Sequence, residues 1–223
     1  MQRRTHRRIG FLVAFAAYFA ALWLLWETPV VYPIKLFVVL LHELSHAAAA
    51  LATGGSVERI VLSANEGGAT WTRGGNPFIT LSAGYLGSLA CGLVLLAAAR
   101  MRAARVGGVL TGLGILLLAT AALYVRNGFG LTFCLLSGIA LILAARWLAA
   151  AAQAMLLTTL GLTSALYAVL DIRSDIFRHP HLDSDARLLA DLTGVPTLVW
   201  GTLWMAAACA ACWIAFRRAL RRA

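Results

Sequence analysis

Apolar residues come in long unbroken runs along this chain, not in the alternation of a strand or the stripe of a surface helix. Ile9 to Trp26 is one such run, and Val31 to Leu51 is a second, broken only by Lys35, His42, Glu43 and His46. Pro77 to Ala99, Val106 to Val125, Asn127 to Ala145, Trp147 to Leu170 and Val195 to Phe216 contain no Asp, Glu, Lys or Arg at all. A helix needs about 20 residues to cross hydrocarbon, and these runs are of that length. Backbone amides find no water in lipid, so each run must be a helix or part of a closed barrel. The two-residue alternation of barrel strands is missing. The pattern therefore predicts an all-α multi-pass membrane protein with about six or seven transmembrane helices.

The polar interruptions set the internal boundaries of what reads as a single membrane-embedded domain over 1–223. An anchor helix is expected over 9–26, retained because Glu27-Thr28-Pro29 follows it with no small-x-small cleavage signal. A polar-motif helix spans 31–51. The stretch 52–76 holds two β-rich pieces, Val57 to Ser63 and Ala69 to Arg73, around Asn65-Glu66-Gly67-Gly68, which predicts a short β-hairpin directly after that helix. Four helices fill 77–170, a polar stretch follows over 171–194, and a last helix covers 195–216.

Composition agrees: 61% of the 223 residues are hydrophobic and 13% charged, against roughly 25% charged in a soluble domain. Lys and Arg number 19 and Asp and Glu 9, for a formal charge of +10. In a soluble protein that excess would suggest nucleic acid. Here it flanks apolar runs, which points to membrane lipid headgroups and topology control and away from a nucleic-acid partner. Seven crossings would put the two basic termini on opposite faces, the N-terminal arginines sharing theirs with Arg59, Arg73, Arg126, Arg173, Arg178 and Arg187. The four cysteines all fall inside apolar runs, which argues against a secreted disulfide framework, and Cys209-x-x-Cys212 reads as helix packing.

Three ionisable residues within five positions of an apolar helix require an explanation. His42-Glu43-Leu44-Ser45-His46 is an H-E-x-x-H motif. Four residues apart, the imidazoles share one helix face about 5 to 6 Å apart at Cβ, a spacing that lets both hold one Zn²⁺. Glu43 then stands beside the metal, where a carboxylate can take a proton from water and deliver it to a leaving amine. The bland alternative, core histidines bonded to carbonyls and a Glu paired with Arg, leaves a polar trio without water in an apolar helix. With Pro33 near the helix start, His42 lies nine residues on, about 14 Å along the axis and so inside the bilayer.

The surrounding text resembles the site-2 protease-like family of intramembrane zinc metallopeptidases, in its compact branch without a PDZ domain. The likeness is carried by L-H-E-L-S-H-A from Leu41, T-G-G-S-V from Thr53, E-G-G-A-T from Glu66 and A-G-Y-L-G-S from Ala83. A later block adds A-L-Y-A-V-L-D from Ala165, S-D-A from Ser184 and V-P-T-L-V-W-G from Val195. The resemblance implies a multi-pass protein of a bacterial cell membrane, with zinc held by two helix histidines and a distal Asp, and metalloprotease hydrolysis of a transmembrane protein substrate. The Asn-and-proline stretch leading to Leu-Asp-Gly that marks many members is absent, so the distal acid is assigned from chain position. Four spans after the motif helix bring the chain back to the face nearer His46, which selects Asp171 as third metal ligand, with Asp175 one turn on as the alternate. Asp183, Asp185 and Asp191 read as solvated surface, and His179 and His181 as loop histidines.

The hairpin is either a simple connection or an edge strand that binds substrate in extended form. Gly84 and Gly87 read as packing positions. Asn65, Asn76 and Asn127 are candidate oxyanion donors. The expected activity is an intramembrane zinc metalloprotease with Glu43 as general base. The competing class is a catalytically silent scaffold, chaperone or metal-binding regulator on the same fold, against which the intact Glu43 argues, since a pure metal site needs no base.

Overall fold

The computed structural model describes residues 2–26, 28–173 and 184–222. In chain order these form α1 (Gln2–Leu24), α2 (Tyr32–Ala52), β1 (Ser56–Leu62), β2 (Gly68–Arg73), α3 (Pro77–Ala98), α4 (Ala103–Leu123), α5 (Gly128–Trp147), α6 (Ala150–Arg173), α7 (Asp185–Thr193) and α8 (Thr197–Arg222). Six of the described helices, α2 to α6 and α8, are long and apolar enough to cross a membrane. The protein is an integral multi-pass membrane protein.

Local chemistry marks the boundaries. Pro33 and Pro77 occupy first turns, where a missing N–H costs nothing. Asn76 caps α3 by accepting from the Ile79 amide at 3.1 Å. Ser184 caps α7 through the Arg187 amide, and Gly194, at φ 73°, ends that helix in the left-handed conformation. This nine-residue α7 falls in the stretch that reads as a polar connection, and it buries Ala186 and Leu189.

The central helix α6 touches α2, α3, α4 and α8. It meets α3 backbone to backbone: a methyl on Gly92 would lie 2.8 Å from the Gly161 carbonyl oxygen, and one on Gly161 would lie 2.8 Å from that of Gly92. Small residues at such a crossing let helices gain van der Waals contact that lipid tails cannot supply. Ser164 reinforces it by donating to the Ser88 carbonyl at 2.7 Å.

The polar stretch forms the predicted antiparallel hairpin, with Ser56 opposite Arg73, Leu62 opposite Gly68 and a register shift between Val57 and Arg59. Its turn reaches the start of α2, where Tyr32 donates to the Ala64 carbonyl at 2.6 Å and Lys35 meets Glu66 at 2.7 Å. The outer edge of β1 is occupied by the α4–α5 connection: the Ile60 amide donates to Tyr124, the Arg126 amide to Ile60, and the Asn127 side chain brackets Leu62. The other edge of β1 carries β2.

One expectation is overturned. α1 packs Phe11 and Phe15 against Phe216 near the end of α8, with ring centroids 5.8 and 5.1 Å apart. Its later residues climb along α6, Tyr18 at Thr159 and Thr163, Trp26 at Tyr167. The N-terminus of α1 and the C-terminus of α8 therefore share one end of the bundle instead of opposite faces. The seven-crossing count fails because α1 runs in the same sense as α2, and its apolar part, Arg8–Leu24, is shorter than the six spans.

Candidate metal centre

The motif lies on α2, the most enclosed of the six spans. Glu43 and His46 are buried at 5% and 7% relative exposure. The helix repeat turns both histidines towards α3, where their rings sit 4.8 Å apart edge to face. His46 Nδ1 donates to the Thr80 carbonyl at 2.7 Å. That bond fixes the tautomer and leaves Nε2 as the available ligand atom, as outer-sphere partners do for metal-binding imidazoles. The His42 ring stands edge-on to Tyr85. Gly84 makes room for it: a methyl there would collide with the imidazole and lie 2.6 Å from Asp185 Oδ2. Gly87 is likewise filled by Ser45, so both glycines are contact positions.

The third group is Asp185, the first residue of α7. Its Oδ2 lies 2.9 Å from His42 Nε2 and 3.1 Å from His46 Nε2. His42, His46 and Asp185 are the described cluster that could hold a metal ion, their ligand atoms all within 4.8 Å of one another. Two imidazoles and one carboxylate make a donor set suited to a zinc-type divalent ion, with three protein ligands leaving a fourth position open. Burial opposes ionisation of Asp185, but the imidazoles of His46 and His42 outweigh it and hold the carboxyl well below the usual carboxylate range.

Asp171 is close but differently placed. Its Oδ2 is 3.9 Å from His42 Nδ1, on the far nitrogen of the ring from Asp185. It faces the opposite edge of the His42 ring and stands outside the group of ligand atoms that lie within 4.8 Å of one another. Asp185 does not behave as solvated surface: its side chain is 13% exposed, because the cap at Ser184 and the burial of Ala186 and Leu189 turn the start of α7 inward. Asp191, which pairs with Arg187, is exposed. Asp175, Asp183, His179 and His181 lie outside the described residues.

Glu43 faces the hairpin. The Thr70 hydroxyl donates towards it, 2.7 Å from Oε2 and 3.1 Å from its main-chain oxygen. Gly68 closes on the other side, where a methyl would lie 2.6 Å from Oε1. Glu43, the cluster, Asp171 and residues 66–70 of the hairpin together line a cavity of about 440 Å³. None of the candidate oxyanion asparagines lines it: Asn76 caps α3 and Asn127 holds β1. A usable signal for Asp185 was present in Ser184-Asp185-Ala186-Arg187, a cap followed by a nine-residue amphipathic helix. Nothing local in the sequence signals Thr70, whose role depends on hairpin register.

No curated protein and no solved structure matches the chain. Residues 15–215 do match the family model described as Peptidase M50B-like, and with that match over most of its length, and a metal-competent cluster of two motif-helix histidines and the α7 aspartate, the chain belongs to this family.

Proposed function

We propose that the chain is a zinc-dependent intramembrane endopeptidase that hydrolyses a peptide bond of a membrane-spanning protein, with Glu43 as general base. The observation that carries this reading is the convergence of His42, His46 and Asp185 within 4.8 Å in a cavity that Glu43 also lines. Membership of a metallopeptidase family supports it. Zn²⁺ held by His42, His46 and Asp185 would polarise a scissile carbonyl and acidify a water molecule. Thr70 engages Glu43 at Oε2 and so leaves Oε1 to accept the proton of the attacking water and pass it to the leaving amine. The Thr80 carbonyl holds the His46 ring in orientation through Nδ1, and Asp171 faces the outer nitrogen of His42 at 3.9 Å, where its charge favours that edge of the ring.

A helical substrate has no accessible peptide bond until it is unwound, and its freed backbone groups then need partners. Among the described residues β2 pairs with β1 on one side only, and Gly68, Ala69, Thr70 and Thr72 border the cavity. An extended segment pairing along β2 would meet Glu43 and the cluster with its amides satisfied. The test is purified protein with a membrane-spanning model substrate. The expected result is about one zinc per chain, unchanged in Glu43→Gln, with cleavage reduced by about 10²- to 10⁴-fold. Cleavage by Glu43→Gln at the parent rate would refute the assignment of the base. Metal binding without any cleavage by the parent chain would favour the silent-scaffold class.

A further inference from the structure

Lys35, near the start of the motif helix, stands apart from the metal site and does not line the cavity. It is 2% exposed, on a span where an ionisable side chain is expensive. Its ammonium lies 2.7 Å from Glu66 Oε1 and 5.1 Å from the centre of the Trp26 ring. Glu66 is costly in a different way. It stands in the hairpin turn at φ 64°, and among the described residues it is the one non-glycine with positive φ. Glycine takes that conformation freely, whereas a Cβ opposes it. Gly67 and Gly68 follow directly, yet neither has a positive φ. A lysine that lipid disfavours thus meets a glutamate that the backbone disfavours. Apolar groups of the same shape are often as stable as a buried ion pair, so stability alone does not account for this one.

The hairpin touches α2 at two places. At the turn, Lys35 holds Glu66 and Tyr32 donates to the Ala64 carbonyl at 2.6 Å. Further along, the Thr70 hydroxyl donates to Glu43 Oε2 at 2.7 Å, and Gly68 passes against the same carboxylate. The two spacings agree. From Lys35 to Glu43 is eight residues of helix, about 12 Å at 1.5 Å per residue. From Glu66 to Thr70 is four residues, about 13 Å when extended. β2 therefore runs alongside α2 with both contacts in register. β1 is held by the α4–α5 connection, and the hairpin base by the bond from the Asn76 amide to Thr53. The turn end of β2 rests on Lys35 and Tyr32.

We propose that Lys35 and Glu66 are positioning residues of the peptidase site: their ion pair pins the hairpin turn, so that β2 presents Thr70 and Gly68 to Glu43 and keeps the base aimed into the cavity. This rests on the peptidase reading and adds to it two residues that the metal motif does not include. Lys35 acts through Glu66, and Glu66 through the strand that follows it. A misplacement of about 1 Å at a reacting group can lower a rate by about 100-fold, so a small shift of the turn is enough to matter.

The test removes the pair while sparing the fold. In Lys35→Met with Glu66→Gly the buried position becomes apolar and the turn gains the residue its φ favours. The unfolding temperature in detergent and the zinc content should therefore stay at the parent values. On a membrane-spanning model substrate, kcat should fall about 100-fold while KM stays within about 3-fold, because β2 still offers its edge. Amide exchange over residues 63–73 should quicken about 10-fold, with α3 and α4 unchanged. Parent kcat in this variant, or unaltered exchange in the hairpin, overturns the proposal. Should the double variant not fold, Glu66→Gln decides: kcat about 10-fold lower at parent zinc content is expected, and an unchanged kcat overturns the proposal. A parent chain that never cleaves removes the peptidase reading alone, and the exchange measurement then decides whether the pair pins the hairpin.

Discussion

The helices α2 and α5 have nearly the same length and opposite fates. Mean hydropathy is 1.5 in the best window of α2 and 2.2 in that of α5, yet 61% of the α2 window is buried against 22% for α5. A water-soluble protein orders such a pair the other way. In lipid the hydrocarbon accepts Leu and Ile as readily as a protein core does, so the most apolar helix faces outward and burial is reserved for the helix that hydrocarbon would reject. Polar side chains on α2 then have partners: Lys35 with Glu66, Glu43 with Thr70, His46 with Thr80, His42 with Asp185. On α5, Leu135, Leu136 and Ile139 are exposed and Gly138 serves the contact with α4.

The comparison is broken most severely by Asp185→Ala. Metal affinity is expected to fall by more than about 100-fold, beyond what outer partners cost, and peptide hydrolysis with it. Metal analysis after dialysis against a zinc buffer reads the effect, and retained stoichiometric zinc would return the third position to Asp171. Next comes Lys35→Met, which leaves the Glu66 carboxylate unpaired beside a buried site and should cost about 3 kcal/mol, seen as a lower unfolding temperature in detergent. The double variant Lys35→Met with Glu66→Met should recover most of that loss, and failure to recover would mean that the pair does not act as a unit.

The elements of this molecule differ in how plainly the sequence announces them. The spans were legible because uninterrupted apolarity over about 20 residues has few structural solutions. The hairpin was legible from β-branched residues around a Gly pair, and His42, Glu43 and His46 from a spacing that only a helix turns into proximity. Asp185 was harder to read, because its charged neighbours Arg187 and Asp191 resemble a solvated loop and only the cap at Ser184 with the apolar face of α7 marks a helix turned inward. The path of α1 was illegible for another reason. Its apolar run in the sequence looks like a span, and it takes the contacts of Phe11 and Phe15 with Phe216, and of Tyr18 and Trp26 with α6, to show which end of the bundle it starts from.

Two milder substitutions sharpen the same contrast. Asp171→Asn should lower zinc affinity about 10-fold and keep some activity, the size expected of an orienting carboxylate. A loss as large as that of Asp185→Ala would place it among the ligands. On the lipid side, Leu136→Ala at 65% exposure should change stability by less than about 0.5 kcal/mol. A thermal shift as large as that of Lys35→Met would mean that α5 is covered by a protein partner.

The position of Asp185 on α7, a helix too short to be one of the spans, has a consequence in polymer terms. An ion shared by His42 and Asp185 would cross-link residues 143 positions apart, closing a ring that takes in the hairpin and α3 to α6. Closure of a ring that long lowers the open chain's entropy by about 5 kcal/mol at 25 °C, and each doubling of its length adds only about 0.6 kcal/mol, so the cross-link would bind with its free energy coupled to folding. Stripping the ion would then act as cutting a tether. α7 should be the first element to exchange its amide hydrogens, at Ala186 to Leu189, while α4 and α5 keep theirs.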